Sequence, residues 1–193
     1  MGIQRKEHMG LKLDLGCGLS KHKPEGFIGV DIQKFPGVDQ VCDLRKKWPW
    51  KDGSVEKVLC SHFVEHLTNP ERIHFWNELY RVLMPVKFLN GQPIQGKATI
   101  VTPNWSHASA YGVPTHQWPP LSEWTAYYLD KNWRALNAPH VGLTCDFIFV
   151  VGGAWDEWLN SRQEKTFAMG RYINSWRDMI ITLHKREEVV VSR

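Results

Sequence analysis

Leu11-Lys-Leu-Asp-Leu15 alternates apolar and polar residues and runs straight into Gly16-Cys-Gly18. This is a short strand closed by a glycine turn, and it constrains the chain more than any other stretch. A strand that ends this way lets a ligand come close to the backbone. The same design then repeats. Gly26-Phe-Ile-Gly-Val-Asp-Ile32 ends on an acid, Val38–Leu44 ends on Asp43-Leu44, and Val55–Ser61 ends on Ser61-His62. Four successive strand-like runs thus finish on small or polar groups. In an open parallel sheet that edge, outside the carboxyl ends, is where ligands bind. There Asp31 is placed to accept from ribose hydroxyls and Asp43 from an adenine amino group.

The rest of the chain reads as α/β. Asn69-Pro-Glu-Arg reads as a helix start, with Asn69 as cap, and Pro85 stops the helix near Met84. Its apolar face is expected at Ile73, Trp76, Leu79, Tyr80 and Leu83. Further strands are expected over 97–102, 145–151 and 177–184, with helix over 120–136 and partly over 156–172. The prediction is a Rossmann-like, mostly parallel twisted sheet of about seven strands flanked by helices, with the last strand antiparallel. The 193 residues fit one domain, 1–193. Residues 1–10 form a tail, and 104–140 an elaboration suited to covering an acceptor.

Composition excludes several classes. No apolar run reaches the ~20 residues of a membrane span. The N-terminus lacks a signal-peptide pattern, so the expectation is a cytoplasmic protein without a membrane partner. Cys17, Cys42, Cys60 and Cys145 contain no C-x-x-C and read as buried thiols. The net charge of +4 admits a nucleic-acid acceptor, but no basic stripe indicates one. At least half of the ten tryptophans are expected in the core.

Cys60–Leu67, CSHFVEHL, contains H-x-x-E-H, a zinc-peptidase spacing. That motif requires both histidines and the glutamate on one helix. Here His62 follows a strand and the helix starts near Pro70, so no metal is expected. A nicotinamide fingerprint is also incomplete, because G-x-G-x-x-G lacks its third glycine and little room remains for a helix.

Taken together, LDLGCG (13–18), GFIGVDI (26–32), DL (43–44), WPWKDGSVEKVLCSHFVEHL (48–67) and ELYRVLMP (78–85) resemble the class I S-adenosylmethionine-dependent methyltransferases, in the branch with a shortened first helix. PTH at 114–116 is similar to a segment of some members. The pattern departs after VLMP, where Val86-Lys87 replaces a glycine pair. The resemblance implies S-adenosylmethionine as cofactor and S-adenosylhomocysteine as product. Asp14, Gly16, Cys17 and Gly18 would hold the amino-acid end, Asp31 and Ile32 the ribose, and Asp43 and Leu44 the adenine. Ser61 and His62 would border the methyl.

Transfer from a sulfonium needs alignment, and an oxygen or nitrogen acceptor gains from a base. His62, His66 and His116 are the candidate catalytic residues, since histidine titrates near neutrality. Asn104, Trp105, His107, Tyr111 and Trp118 are candidates for acceptor binding. The Asp/Asn/Ser-Pro-Pro-aromatic motif of DNA amino-methylation is missing, and no cysteine follows a proline. A small-molecule or sugar-like acceptor is therefore expected. A cofactor-binding subunit without activity and a nucleic-acid methyltransferase are the alternatives. The assembly expected is a monomer or homodimer.

Overall fold

The computed structural model describes residues 10–19, 23–89, 91–155, 174 and 176–186. Its centre is a seven-stranded sheet. The strands are β1 (Leu11–Leu15), β2 (Ile28–Asp31), β3 (Gln40–Val41), β4 (Val55–Ser61), β7 (Lys97–Pro103), β8 (Phe147–Trp155) and β9 (Trp176–Lys185). The order is β3-β2-β1-β4-β7-β9-β8. Strands β1 to β4 and β7 are parallel, whereas β9 runs antiparallel to both of its neighbours. This is the predicted Rossmann-like sheet with a reversed last strand. The chain leaves β1 toward β2 and leaves β4 toward β7, so the order reverses between β1 and β4, the crevice where such sheets take ligands.

The end of β1 is buried on both faces at Leu13, Asp14 and Leu15, whereas β4, β7 and β9 bury one face fully and the other only in part. Leu13, Leu15, Val30, Val58, Cys60, Ile100, Ile181 and Leu183 form the middle of the core. Helix α1 (Asn69–Val82) covers one face with Phe75, Trp76, Leu79 and Val82. Its buried stripe is rotated from the expected one, because Phe75 points inward while Ile73 and Tyr80 are half-buried. Trp48 packs edge-on against Phe75 and Trp50, at 5.3 and 5.6 Å between ring centres.

Several expected boundaries shift. Thr68, not Asn69, caps α1, and Glu71 accepts from the Thr68 backbone N–H and hydroxyl at 2.8 Å each. Strand β3 is only two residues long, not 38–44. Asp39 and Asp43 account for this, since Asp39 accepts from Gly29 N–H and Asp43 from Arg45. The Asp43 carboxylate bonds backbone two residues on, which makes a turn rather than a ladder, while Asp39 ties the start of β3 to β2. After the VLMP departure, β5 (Lys87–Leu89) and β6 (Gln92–Ile94) pair antiparallel as a small two-stranded sheet. The expected helix over 120–136 is two helices, α3 (Glu123–Tyr128) and α4 (Lys131–Asn137), following the short α2 (Ser109–Gly112). Asp130 breaks them apart by capping α4 through Asn132 and Trp133 N–H.

Of the four thiols, Cys60 and Cys145 are buried while Cys17 and Cys42 are only half-buried. Among the described tryptophans, Trp48, Trp50, Trp76 and Trp176 are buried, whereas Trp105, Trp118 and Trp124 are exposed. The expected helical stretch 156–172 and the tail 1–9 lie outside the described residues. No helix among the described residues is long and apolar enough to cross a membrane.

Candidate active site

The parallel strands deliver their carboxyl ends to one edge. Gly16 and Cys17 N–H both donate to Val30 O, at 2.8 and 3.1 Å, which folds the turn back over β2. Gly16 and Gly18 have φ of 68° and 53°, a left-handed geometry that costs other residues ~1–2 kcal/mol. The two glycines serve different ends. A Cβ on Gly16 would lie 2.4 Å from the Phe63 ring, whereas one on Gly18 would meet nothing within 4 Å. Gly16 is needed for packing, and Gly18 leaves its backbone open to a ligand.

Asp31 accepts from Gly18 N–H at 2.9 Å and Gln33 N–H at 3.1 Å. A carboxylate has about four acceptor positions, so room remains for ribose hydroxyls. A cavity of about 200 Å³ opens beside it, lined by Asp31, Ile32, Asp43, Leu44, Phe63 and His66 among others. Asp43 is paired with Arg45, whose Nε and Nη2 donate at 2.8 and 3.1 Å. That guanidinium holds the Asp43 carboxyl below its ordinary range. An adenine amino group would therefore share Asp43 with Arg45. Asp14 is buried at the end of β1. Burial, with Asp14 and Asp31 nearby, pushes the Cys17 thiol up to about 11, so it stays protonated at neutral pH. The fit to an adenosine-bearing cofactor rests on the open Gly18 backbone, the Asp31 carboxylate and this cavity.

Beyond β4 the backbone turns sharply. His62 has φ of 53°, a strained value for a residue with a Cβ and one that concentrates at functional sites. Its N–H still bonds Val101 O at 2.8 Å. Its ring sits between two carboxylates. Nδ1 is 3.3 Å from Glu65 Oε1, in ion-pair range without hydrogen-bond alignment, and Nε2 is 3.9 Å from Asp178 Oδ1. Glu65, reinforced by Asp178, raises the His62 pKa against the opposing effect of partial burial. Ser61 ends β4 with its side chain half-buried.

The residues of H-x-x-E-H do not share a helix. Val64–His66 is a single 3₁₀ turn, and α1 begins only at Asn69. Glu65 is 4% exposed, and its Oε2 accepts from Thr102 Oγ1 at 3.2 Å. His66 lies edge-on to His116, with ring centres 4.8 Å apart. The carboxylate of Glu65 and one ring nitrogen each of His66 and His116 lie within 4.8 Å of one another.

Segment 104–118 returns to this edge. Gln117 N–H donates to Glu65 O at 2.8 Å and brings His116 with it. Asn104 is fully buried. Its Oδ1 accepts from the N–H and hydroxyl of Ser106, while Nδ2 has no hydrogen-bond partner. Trp105, Tyr111 and Trp118 are exposed, and the rings of the last two are 6.1 Å apart. His107 bonds Ser109 Oγ at 2.7 Å, so its ring serves the start of α2. A larger cavity, about 530 Å³, lies between α1 and α3, but its lining lacks the glycine turn and the carboxylates of β2 and β3.

Three residues at the site escape the sequence reading. Asp178 faces His62 because β9 is reversed, which pairs Asp178 with Pro103 at the carboxyl edge. An antiparallel last strand was expected, and its first residues necessarily reach that edge. Thr102 read as an ordinary strand residue. Arg72 read as a polar helix position, yet it is buried and donates to the carbonyls of Val64, Glu65, Gln117 and Pro119.

Comparison with known proteins follows the same lines. Residues 24–89 match the family model described as methyltransferase domain. No curated protein sequence matches significantly. A SAM-dependent methyltransferase from Archaeoglobus fulgidus superposes with a TM-score of 0.57 at 20% identity, covering 92% of this chain and 88% of that one. Another from Methanosarcina mazei gives 0.53 at 17% identity, covering 94% and 96%. The [4+2]-cyclase SpnF gives 0.56 at 14% identity, covering 93% and 76%. Residues 24–89 are thus similar to a methyltransferase domain, and the whole chain shares its fold with these solved structures.

Proposed function

We propose that the protein transfers a methyl group from S-adenosylmethionine to an oxygen or nitrogen of a small, sugar-like acceptor. The observation that carries this reading is the carboxyl edge itself. The open Gly18 backbone and Asp31 stand at one end of it and His62, between two carboxylates, at the other. When bound, the cofactor supplies an electrophilic methyl on a sulfonium, and the protein's work is alignment and exclusion of water. Asp31 accepts from the ribose hydroxyls, Asp14 and the Gly16–Gly18 backbone hold the amino-acid end, and Asp43 with Leu44 flanks the adenine. His62 takes the proton from the acceptor atom, its imidazolium being stabilised by Glu65 and Asp178. Segment 104–118 covers the acceptor. Trp105, Tyr111 and Trp118 offer it apolar faces, while buried Asn104 fixes the start of the segment through Ser106.

One feature favours a small acceptor: the elaboration is a single aromatic segment folded back on the edge, with Gln117 N–H on Glu65 O. The test is transfer of labelled methyl from the cofactor onto a small-molecule extract and, in parallel, onto nucleic acid. Label is expected in the small-molecule fraction, lowered about 10²–10⁴-fold in His62→Ala. Label in nucleic acid alone would overturn the acceptor class. Absence of label from both would overturn transfer, a live alternative for a fold that also houses a cyclase.

A further inference from the structure

H-x-x-E-H fails here as a peptidase motif, yet two of its members find a third partner fifty residues away. Glu65 and His66 sit on the 3₁₀ turn, and His116 comes from segment 104–118. Their ligand atoms lie within 4.8 Å of one another. Two of these groups lack a hydrogen bond. Glu65 is 4% exposed and its Oε1 has only His62 Nδ1 beside it, at 3.3 Å and out of hydrogen-bond alignment, while His116 Nδ1 is buried with no partner. Buried polar atoms left unpaired are costly. A single cation between the two segments would give both a partner.

The scaffold around the three groups is already fixed. Arg72 spends its buried guanidinium on carbonyls from both ligand-bearing segments, Val64 and Glu65 on one side and Gln117 and Pro119 on the other. The Gln117 N–H to Glu65 O bond, at 2.8 Å, joins them again. Thr102 Oγ1 holds Glu65 Oε2, and His66 Nδ1 lies 3.4 Å from Thr115 O. Metal-binding carboxylates and imidazoles are commonly oriented by outer partners of this kind.

We propose that Glu65, His66 and His116 form a binding site for one divalent transition-metal ion, of the class that zinc represents. Two imidazoles and a carboxylate suit such an ion and leave at least one position open. Tetrahedral ligands about 2.1 Å from zinc lie roughly 3.4 Å apart. The three groups must therefore close by a little over an ångström at most, which side-chain rotation supplies. The open position would seat an oxygen of the acceptor, and in that respect the proposal rests on the methyltransferase reading; with Glu65 on the ion, Asp178 is the carboxylate left to stabilise the His62 imidazolium. The sequence-based expectation of no metal is revised, because it considered only ligands on a helix and none from segment 104–118.

The test uses the full chain, free of any affinity tag and stripped with a chelator. Zn²⁺ is titrated calorimetrically and Co²⁺ by its visible absorption, without cofactor present. One equivalent is expected to bind at micromolar concentration or tighter, weakened about a hundredfold in His116→Ala. His66→Gln, at an exposed ring, provides a second variant in case the first disturbs the fold. Substoichiometric binding, or equal affinity in wild type and both variants, would overturn the site. Zinc binding without binding of S-adenosylhomocysteine would keep the metal site and sink the methyltransferase reading. The converse result would do the reverse.

Discussion

Gly16 and Gly18 share a backbone conformation and differ in what surrounds them, so their substitutions should separate stability from binding. Gly16→Ala drives a Cβ into the Phe63 ring at a positive φ. It should cost about 2–4 kcal/mol in urea unfolding. Gly18→Ala meets open space and should cost only ~1–2 kcal/mol. It should nonetheless weaken S-adenosylhomocysteine binding at least tenfold, because on the proposed placement the added methyl would stand where the ligand approaches. Equal effects of the two on stability would contradict the assignment. The glycine turn and its acids were legible in the sequence because they are local: each sits at the end of its own strand. Asp178 and Thr102 were not, since their importance arises only from what lies across the sheet.

At the scale of elements, α1 is both a wall of the core and a clamp. Glu78 on α1 accepts from Arg81 at 2.7 Å and from Trp48 N–H at 2.7 Å. Arg81 most of all, aided by Trp48 and opposed by burial, holds the Glu78 carboxyl below its ordinary range. Its unfolded value is about 4.3. A lowered folded pKa gives stability that is present above that value and lost as pH falls through the folded one. Glu78→Gln should therefore be less stable than wild type at pH 7 by urea unfolding, and the gap should narrow as the solution is acidified toward pH 3. A gap that stays constant would contradict the ion pair. Arg72→Met should be more damaging, about 3–5 kcal/mol, because four carbonyls lose a buried donor. An effect under about 1 kcal/mol would mean that the clamp is dispensable. Element boundaries were the poorly legible part of the fold. Thr68 replaced Asn69 as cap because its hydroxyl and Glu71 complete a capping box. Asp130 divided the expected 120–136 helix by turning its carboxylate onto the next two N–H groups but one.

Across the whole molecule, the proposed site follows from strand direction. Five parallel strands place their carboxyl ends on one edge, and the reversed β9 adds its amino end to the same edge. Asp14, Asp31, Asp43 and His62 gather there from four different strand ends, with Asp178 arriving from the reversed one. That convergence was foreseeable from the alternation of strands and helices, whereas the return of His116 to Glu65 and His66 was not. No periodicity in a chain reports that two loops fifty residues apart will meet. Fold by itself also leaves the reaction open, as the cyclase with this architecture illustrates. The decisive measurement is calorimetric binding of S-adenosylmethionine and S-adenosylhomocysteine to wild type and to Asp31→Ala. Micromolar binding of both by wild type, lost in Asp31→Ala, is the expected result. Failure of the wild type to bind either ligand, or unchanged binding in Asp31→Ala, would contradict the placement of the cofactor on this edge.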